Sequence, residues 1–287
     1  MSEQTRPAGQ IWKILQFPLV RIVLASVWLF LTVSLTQAAV KLLPANETIP
    51  IRLLSTAIVV VVAWAAYYAF VRAIEKRPPN ELAASHAVGE LAMGTLIGAL
   101  LFTIVIGILG LLGCYRISGT NRLTAVVPVF TLAVLSGVVE EILIRGILFR
   151  MTEELLGTWL TLLFSAFLFG MLHLGNPNAT FWAALAIAIE AGILLAAAFT
   201  MTRRLWLAIG IHFAWNFTQG GIFGVAVSGM QTSGFLRATL SGPVLLSGGA
   251  FGAEASIIAV IVCLTAGVYM IWKTIQKGNL VKPIWKR

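Results

Sequence analysis

Residues 123–150 read LTAVVPVFTLAVLSGVVEEILIRGILFR. From Leu123 to Val139 there is no charged side chain, a length close to the roughly 20 residues that an α-helix needs to cross hydrocarbon. Glu140, Glu141 and Arg145 then follow without ending the apolar run, which continues to Phe149. Ionisable side chains inside a span are costly and by default mark function. The stretch therefore reads as a transmembrane helix with its polar groups held in the bilayer.

The rest of the chain agrees. Of 287 residues, 59% are hydrophobic and 11% charged, where a soluble domain of this size carries roughly a quarter charged residues. The mean hydropathy is +0.93. Eight apolar segments can be marked, at about 22–40, 53–71, 91–115, 123–150, 158–174, 180–201, 205–225 and 255–275. The expected fold is all-α, a polytopic transmembrane bundle of about eight spans. No internal repeat or linker divides it, so residues 1–287 form one integral membrane domain with its chemical core at about 123–225. Residues 1–21, with Trp12, Phe17 and Arg21, suit a short interfacial helix. The Gly-rich stretch 220–252 reads as a re-entrant or interfacial loop packed on the bundle.

The net charge of +9 does not point to nucleic acid, because the basic residues flank apolar segments and no nucleic-acid module is present. Their distribution sets an orientation instead. With alternating loops, 15 of the 20 Lys and Arg fall on the side holding both termini and 5 on the other, which places the termini in the cytoplasm, here of a bacterial inner membrane. Cys114 and Cys263 lie far apart in apolar segments and read as small buried residues. The sequons Asn46-Glu47-Thr48 and Asn178-Ala179-Thr180 are short enough to arise by chance and carry no weight.

Within the core, Glu141 and Arg145 are i,i+4 partners, while Glu140 points about 100° away. One carboxylate is thus neutralised and the other left free. Glu140 and His173 are 17 and 16 residues from Gly157, the turn between segments four and five. An antiparallel hairpin brings them to the same depth. His212 and Asn216, also i,i+4, share a face of segment seven. Glu190 either pairs with another helix or lines a cavity, with the structural role favoured. His86 lies outside the spans near Glu90 and reads as solvated.

A carboxylate and an imidazole at one depth suit water activation, with Glu140 as general base and His173 assisting. His212 and Asn216 would donate to the oxyanion of a tetrahedral intermediate. The chain has no Asp, no H-E-x-x-H and no serine-protease motif, so aspartyl and common zinc sites fall away. Two readings of the chemistry stay open: a metal-free glutamate site, or a zinc site on Glu140, His173 and His212.

Three motifs in order resemble those of the CAAX protease and bacteriocin-processing family, which includes the type II CAAX prenyl endopeptidases. They are E-E-x-x-x-R at Glu140–Arg145, F-x-x-x-H at Phe169–His173, and H-x-x-x-N at His212–Asn216. The resemblance covers about 125–220. It implies an eight-helix membrane protease without a cofactor, in which Glu140 and His173 activate water, His212 and Asn216 hold the oxyanion, and Glu141 and Arg145 support them. The expected partners are the lipid bilayer and a membrane-proximal peptide or protein substrate. The alternative is a non-catalytic transporter or a scaffold or immunity protein using the same polar cluster. The absence of a repeat counts against a transporter.

Overall fold

The computed structural model describes residues 9–42 and 48–287. The start of the expected interfacial helix and Asn46-Glu47 of the first sequon lie outside the described residues. Helix α1 (Gln10–Leu15) is short, and the Trp12 ring lies 4.0 Å from the Lys76 ammonium. Arg21, expected beside it at the interface, belongs to α2 (Pro18–Lys41), which Pro18 opens at the first helical position. The Arg21 side chain is buried and pairs with Glu75 and Glu154.

The long helices are α2, α3 (Ile49–Phe70), α4 (Ala87–Leu111), α5 (Val127–Glu141), α6 (Arg150–Leu172), the α7–α8 pair (Phe181–Ile187 and Leu194–Thr202), α9 (Trp206–Asn216) and α11 (Ile257–Gln276). Six helices among the described residues are long and apolar enough to cross a membrane, one of them the 53-residue run Leu123–Gly175. The chain is thus a multi-pass all-α bundle. Six differs from eight for two physical reasons. Gly157, at φ 71° and ψ 171°, breaks the long run, which therefore counts as two of the expected segments. Helix α9, even with its π-helical extension Phe217–Ile222, is short for a full span.

The Gly157 break forms the turn of a hairpin. Across it the Arg145 guanidinium lies 4.7 Å from the centroid of the Phe169 ring. A strap from the C-terminal segment closes this turn: the Thr158 N–H donates to the Val281 carbonyl (3.0 Å) and the Val281 N–H donates to the Thr158 hydroxyl (2.8 Å). A Cβ on Gly157 would fall 2.6 Å from the Pro283 nitrogen. Residue 157 therefore has to be glycine on both conformational and steric grounds.

Helices α4 and α9 pack most closely. A Cβ on Gly94 would lie 2.4 Å from the Leu207 carbonyl oxygen, and one on Gly98 would lie 2.3 Å from that of Ile211. Small residues let helix backbones approach in this way in membranes. The seam fixes the height of α9, and with it His212.

Two short strands, β1 (Tyr115–Thr120) and β2 (Leu236–Leu240), pair antiparallel with Tyr115 opposite Leu240. Neither was expected, because their pairing joins segments far apart in the chain and leaves little local periodicity. The stretch 220–252 also holds the one-turn helix α10 (Val244–Ser247). Val225, Val227 and Phe251 are buried, so the stretch packs into the bundle.

Candidate functional site

Three of the helices that reach the site continue as π-helical turns: Ile142–Phe149 after α5, Ala188–Ile193 between α7 and α8, and Phe217–Ile222 after α9. Such widened turns recur at functional sites. Here the middle one presents the carbonyls of Ala191 and Gly192 to Arg145 Nη2, at 3.4 and 3.3 Å.

Arg145 and Glu141 are both fully buried, and Nη1 donates to Glu141 Oε1 at 2.8 Å. The i,i+4 pairing expected from the sequence is present. The same Oε1 also lies 2.8 Å from His212 Nδ1, a contact not read from the sequence. A carboxylate between a guanidinium and an imidazole fixes both. It also fixes the tautomer: Nδ1 carries a proton, so Nε2 points elsewhere. Glu141 Oε2 is buried with no protein partner.

Glu140 faces the other way, as the helical offset requires, with 38% of its side chain exposed. Its Oε2 is 4.0 Å from His212 Nε2. The four residues singled out from the sequence, Glu140, His173, His212 and Asn216, line one cavity of about 290 Å³. His173 caps the end of α6 and is half-buried. Its Nδ1 lies 2.8 Å from the Phe169 carbonyl oxygen. That oxygen can only accept, so Nδ1 holds a proton, and in the neutral ring Nε2 carries the lone pair. Asn216 Nδ2 donates to the Ser136 hydroxyl at 3.0 Å, leaving its second N–H free.

Phe169 ties these groups together. Its ring centroid lies 4.8 Å from that of His173 and 6.2 Å from that of His212, both edge-on, with Arg145 against it as described. Ser136 was missed in the sequence, although it precedes Glu140 by one turn and so shares its face. Val227, Ser228 and Met230 complete the cavity from the 220–252 stretch, where no helical spacing could point to them. Their loop is pinned across the cavity: the Gly229 N–H donates to the Phe251 carbonyl and the Asn178 amide to the Gly229 carbonyl.

Glu190 is buried and lines a second, smaller space behind His212, together with Glu254. Cys114 and Cys263 are free, buried thiols. His86 is exposed and bonded to Ser85, while Glu90 pairs with Arg204. Among the described residues no group of three or more His, Cys, Asp or Glu is arranged to hold a metal ion.

Residues 121–218 match the family model described as type II CAAX prenyl endopeptidase Rce1-like. The resemblance read from the three motifs is shown over the stretch that carries them, and that family is one of proteases. No curated protein and no solved structure matches the chain.

Proposed function

From a chain whose core is Rce1-like, we propose an intramembrane endopeptidase that hydrolyses a peptide bond of a membrane-associated peptide or protein through a glutamate–histidine pair. The observation that carries this reading is the convergence of Glu140, His173, His212 and Asn216 on one cavity. It is large enough for water and a short extended peptide backbone.

A water held between Glu140 and the Nε2 lone pair of His173 gives its proton to Glu140 and attacks the scissile carbonyl carbon. The carbonyl oxygen becomes an oxyanion, received by the free N–H of Asn216 and by Nε2–H of His212. Because Nδ1 of His212 is committed to Glu141, donation from Nε2 requires the imidazolium. Collapse breaks the C–N bond, and the proton on Glu140 passes to the leaving amine. One water is consumed, and one carboxylic acid and one amine are released.

An apolar groove of about 470 Å³ between α2 and α5 shares Leu143 with the cavity. A peptide carried in the bilayer thereby has a lateral approach to Glu140. This supports a membrane-bound substrate over a soluble one. The surplus of Lys and Arg on one side supports cytoplasmic termini.

The test is cleavage of membrane-associated peptides by purified wild type, Glu140→Gln and Glu140→Ala, each with and without chelator. Loss of cleavage in both variants, with wild type indifferent to chelator, is expected. Undiminished cleavage by both variants would end the glutamate reading. Loss of wild-type activity on chelation would transfer it to a metal.

A further inference from the structure

The apolar groove between α2 and α5 runs into a second space near the C-terminal end of α2. Phe30, Val33, Val139 and Leu143 are among the groove residues, and none of its lining side chains is charged. The second space, of about 340 Å³, lies between α2, α3 and α5. Gln37 lines both, so the two meet at that residue.

The second space is polar where the groove is not. Its walls include Lys41, Arg52, Ser55, Thr56 and Thr131. Neither space is lined by an acidic side chain. Arg52 is exposed, and the carboxylates that could have paired with it are engaged elsewhere. Glu75, Glu81, Glu90, Glu153 and Glu154 all meet other arginines. The Thr56 and Thr131 hydroxyls donate to the carbonyls of Arg52 and Pro128. Ser55 Oγ, in contrast, is buried with no partner among the described residues. A buried hydroxyl left unpaired costs free energy that an acceptor would recover.

The dimensions suit an amphiphile. From Ser26 to Gln37, both lining the groove, α2 rises about 16 Å. That is close to half of the roughly 30 Å hydrocarbon core of a bilayer. The polar space sits at the end of α2 away from Arg21, at the level of one leaflet's headgroups. A slot one leaflet deep thus ends in a guanidinium, whose planar fork matches a phosphate.

We propose that α2, α3 and α5 bind one phospholipid of net negative charge, with its phosphate at Arg52 and Ser55 and one acyl chain in the groove along α2. A zwitterionic lipid would bring its own cation to a pocket lined by Lys41 and Arg52, so the anionic lipid is preferred. A substrate that enters by the groove exchanges with this chain. The lipid site itself stands whether or not the protein is a hydrolase.

Native mass spectrometry of the full chain, released from detergent, tests the site with added phosphatidylglycerol or phosphatidylcholine. One phosphatidylglycerol should bind more tightly than phosphatidylcholine. Arg52→Gln should weaken it about tenfold, what one charge-assisted hydrogen bond is worth. Arg237→Gln, which removes an exposed arginine of β2, is the control and should leave binding unchanged. Ser34→Phe fills the groove and should weaken both lipids. Excess glycerol phosphate should not displace the lipid, because it has no chain. Equal affinity for the two lipids, or undiminished binding in Arg52→Gln, overturns the proposal. An equal loss in Arg237→Gln also overturns it, since binding would then belong to basic surface in general. Displacement by glycerol phosphate would make the pocket a soluble-anion site and sink the lipid. If Ser34→Phe fails to fold, that competition alone decides whether the groove takes part.

Discussion

His212 Nδ1 and Arg145 Nη1 meet on the same oxygen, Oε1 of Glu141. Adjacent glutamates thus have opposite assignments. Glu141 is locked between two cationic partners, while Glu140 stands in the cavity. Glu141→Gln should leave the buried Arg145 without a counter-charge, a loss of about 3–5 kcal/mol visible as a lower thermal midpoint in detergent. Glu140→Gln should leave that midpoint unchanged while cleavage stops. The reverse pattern would exchange the two assignments.

For His173, the separate fates of the two ring nitrogens make a sharp comparison. Asparagine can keep the hydrogen bond to the Phe169 carbonyl but has nothing at the Nε2 position. His173→Asn should therefore fold as wild type and lose about 10²–10⁴ in kcat. Near-wild-type turnover would mean that Nε2 takes no part in activating water.

Glu254 also makes stability depend on pH. Its carboxyl binds a proton more tightly folded than unfolded, since burial lifts it to about 7 from an ordinary value of 4.5. The folded state therefore holds more protons between these values, and stability falls as pH rises through about 4.5 to 7. Glu254→Gln should flatten that decline, gaining on wild type by up to about 3 kcal/mol at the alkaline end. Thermal midpoints recorded from pH 5 to pH 8 would show it, and parallel curves would refute it.

The α4–α9 seam should be intolerant of a single methyl. Gly94→Ala drives a Cβ to 2.4 Å from the Leu207 carbonyl oxygen and should cost about 1–3 kcal/mol. Cleavage should fall as well, because α9 moves with His212 on it. Gly107→Ala, in the same helix but meeting nothing within 4 Å, is the control and should be neutral or slightly stabilising.

Much of the site was legible because its geometry is helical. Arg145 and Phe169 are each twelve residues from Gly157, and they touch across the hairpin. The same symmetry about Gly157 brought Glu140 and His173 to one depth. Helical offsets likewise separated Glu140 from Glu141 and put His212 on the face of Asn216. The contact of His212 with Glu141 was not legible, because it depends on how α9 is rotated against α5, and no spacing within one helix reports that. Ser228, Met230 and Glu254 come from an irregular segment without any period. Glu190 was visible as an anomaly, but its companion Glu254 was not, since it lies outside the apolar spans.

The strap at Gly157 bears on biosynthesis. A ribosome delivers Val281 only after every helix that contributes to the site has already been made. The latch on the acid-bearing hairpin thus arrives after those helices, and a nascent chain halted before α11 would have the groups for chemistry without the tether that closes their turn. Closure of the hairpin thus waits on the segment that follows α11.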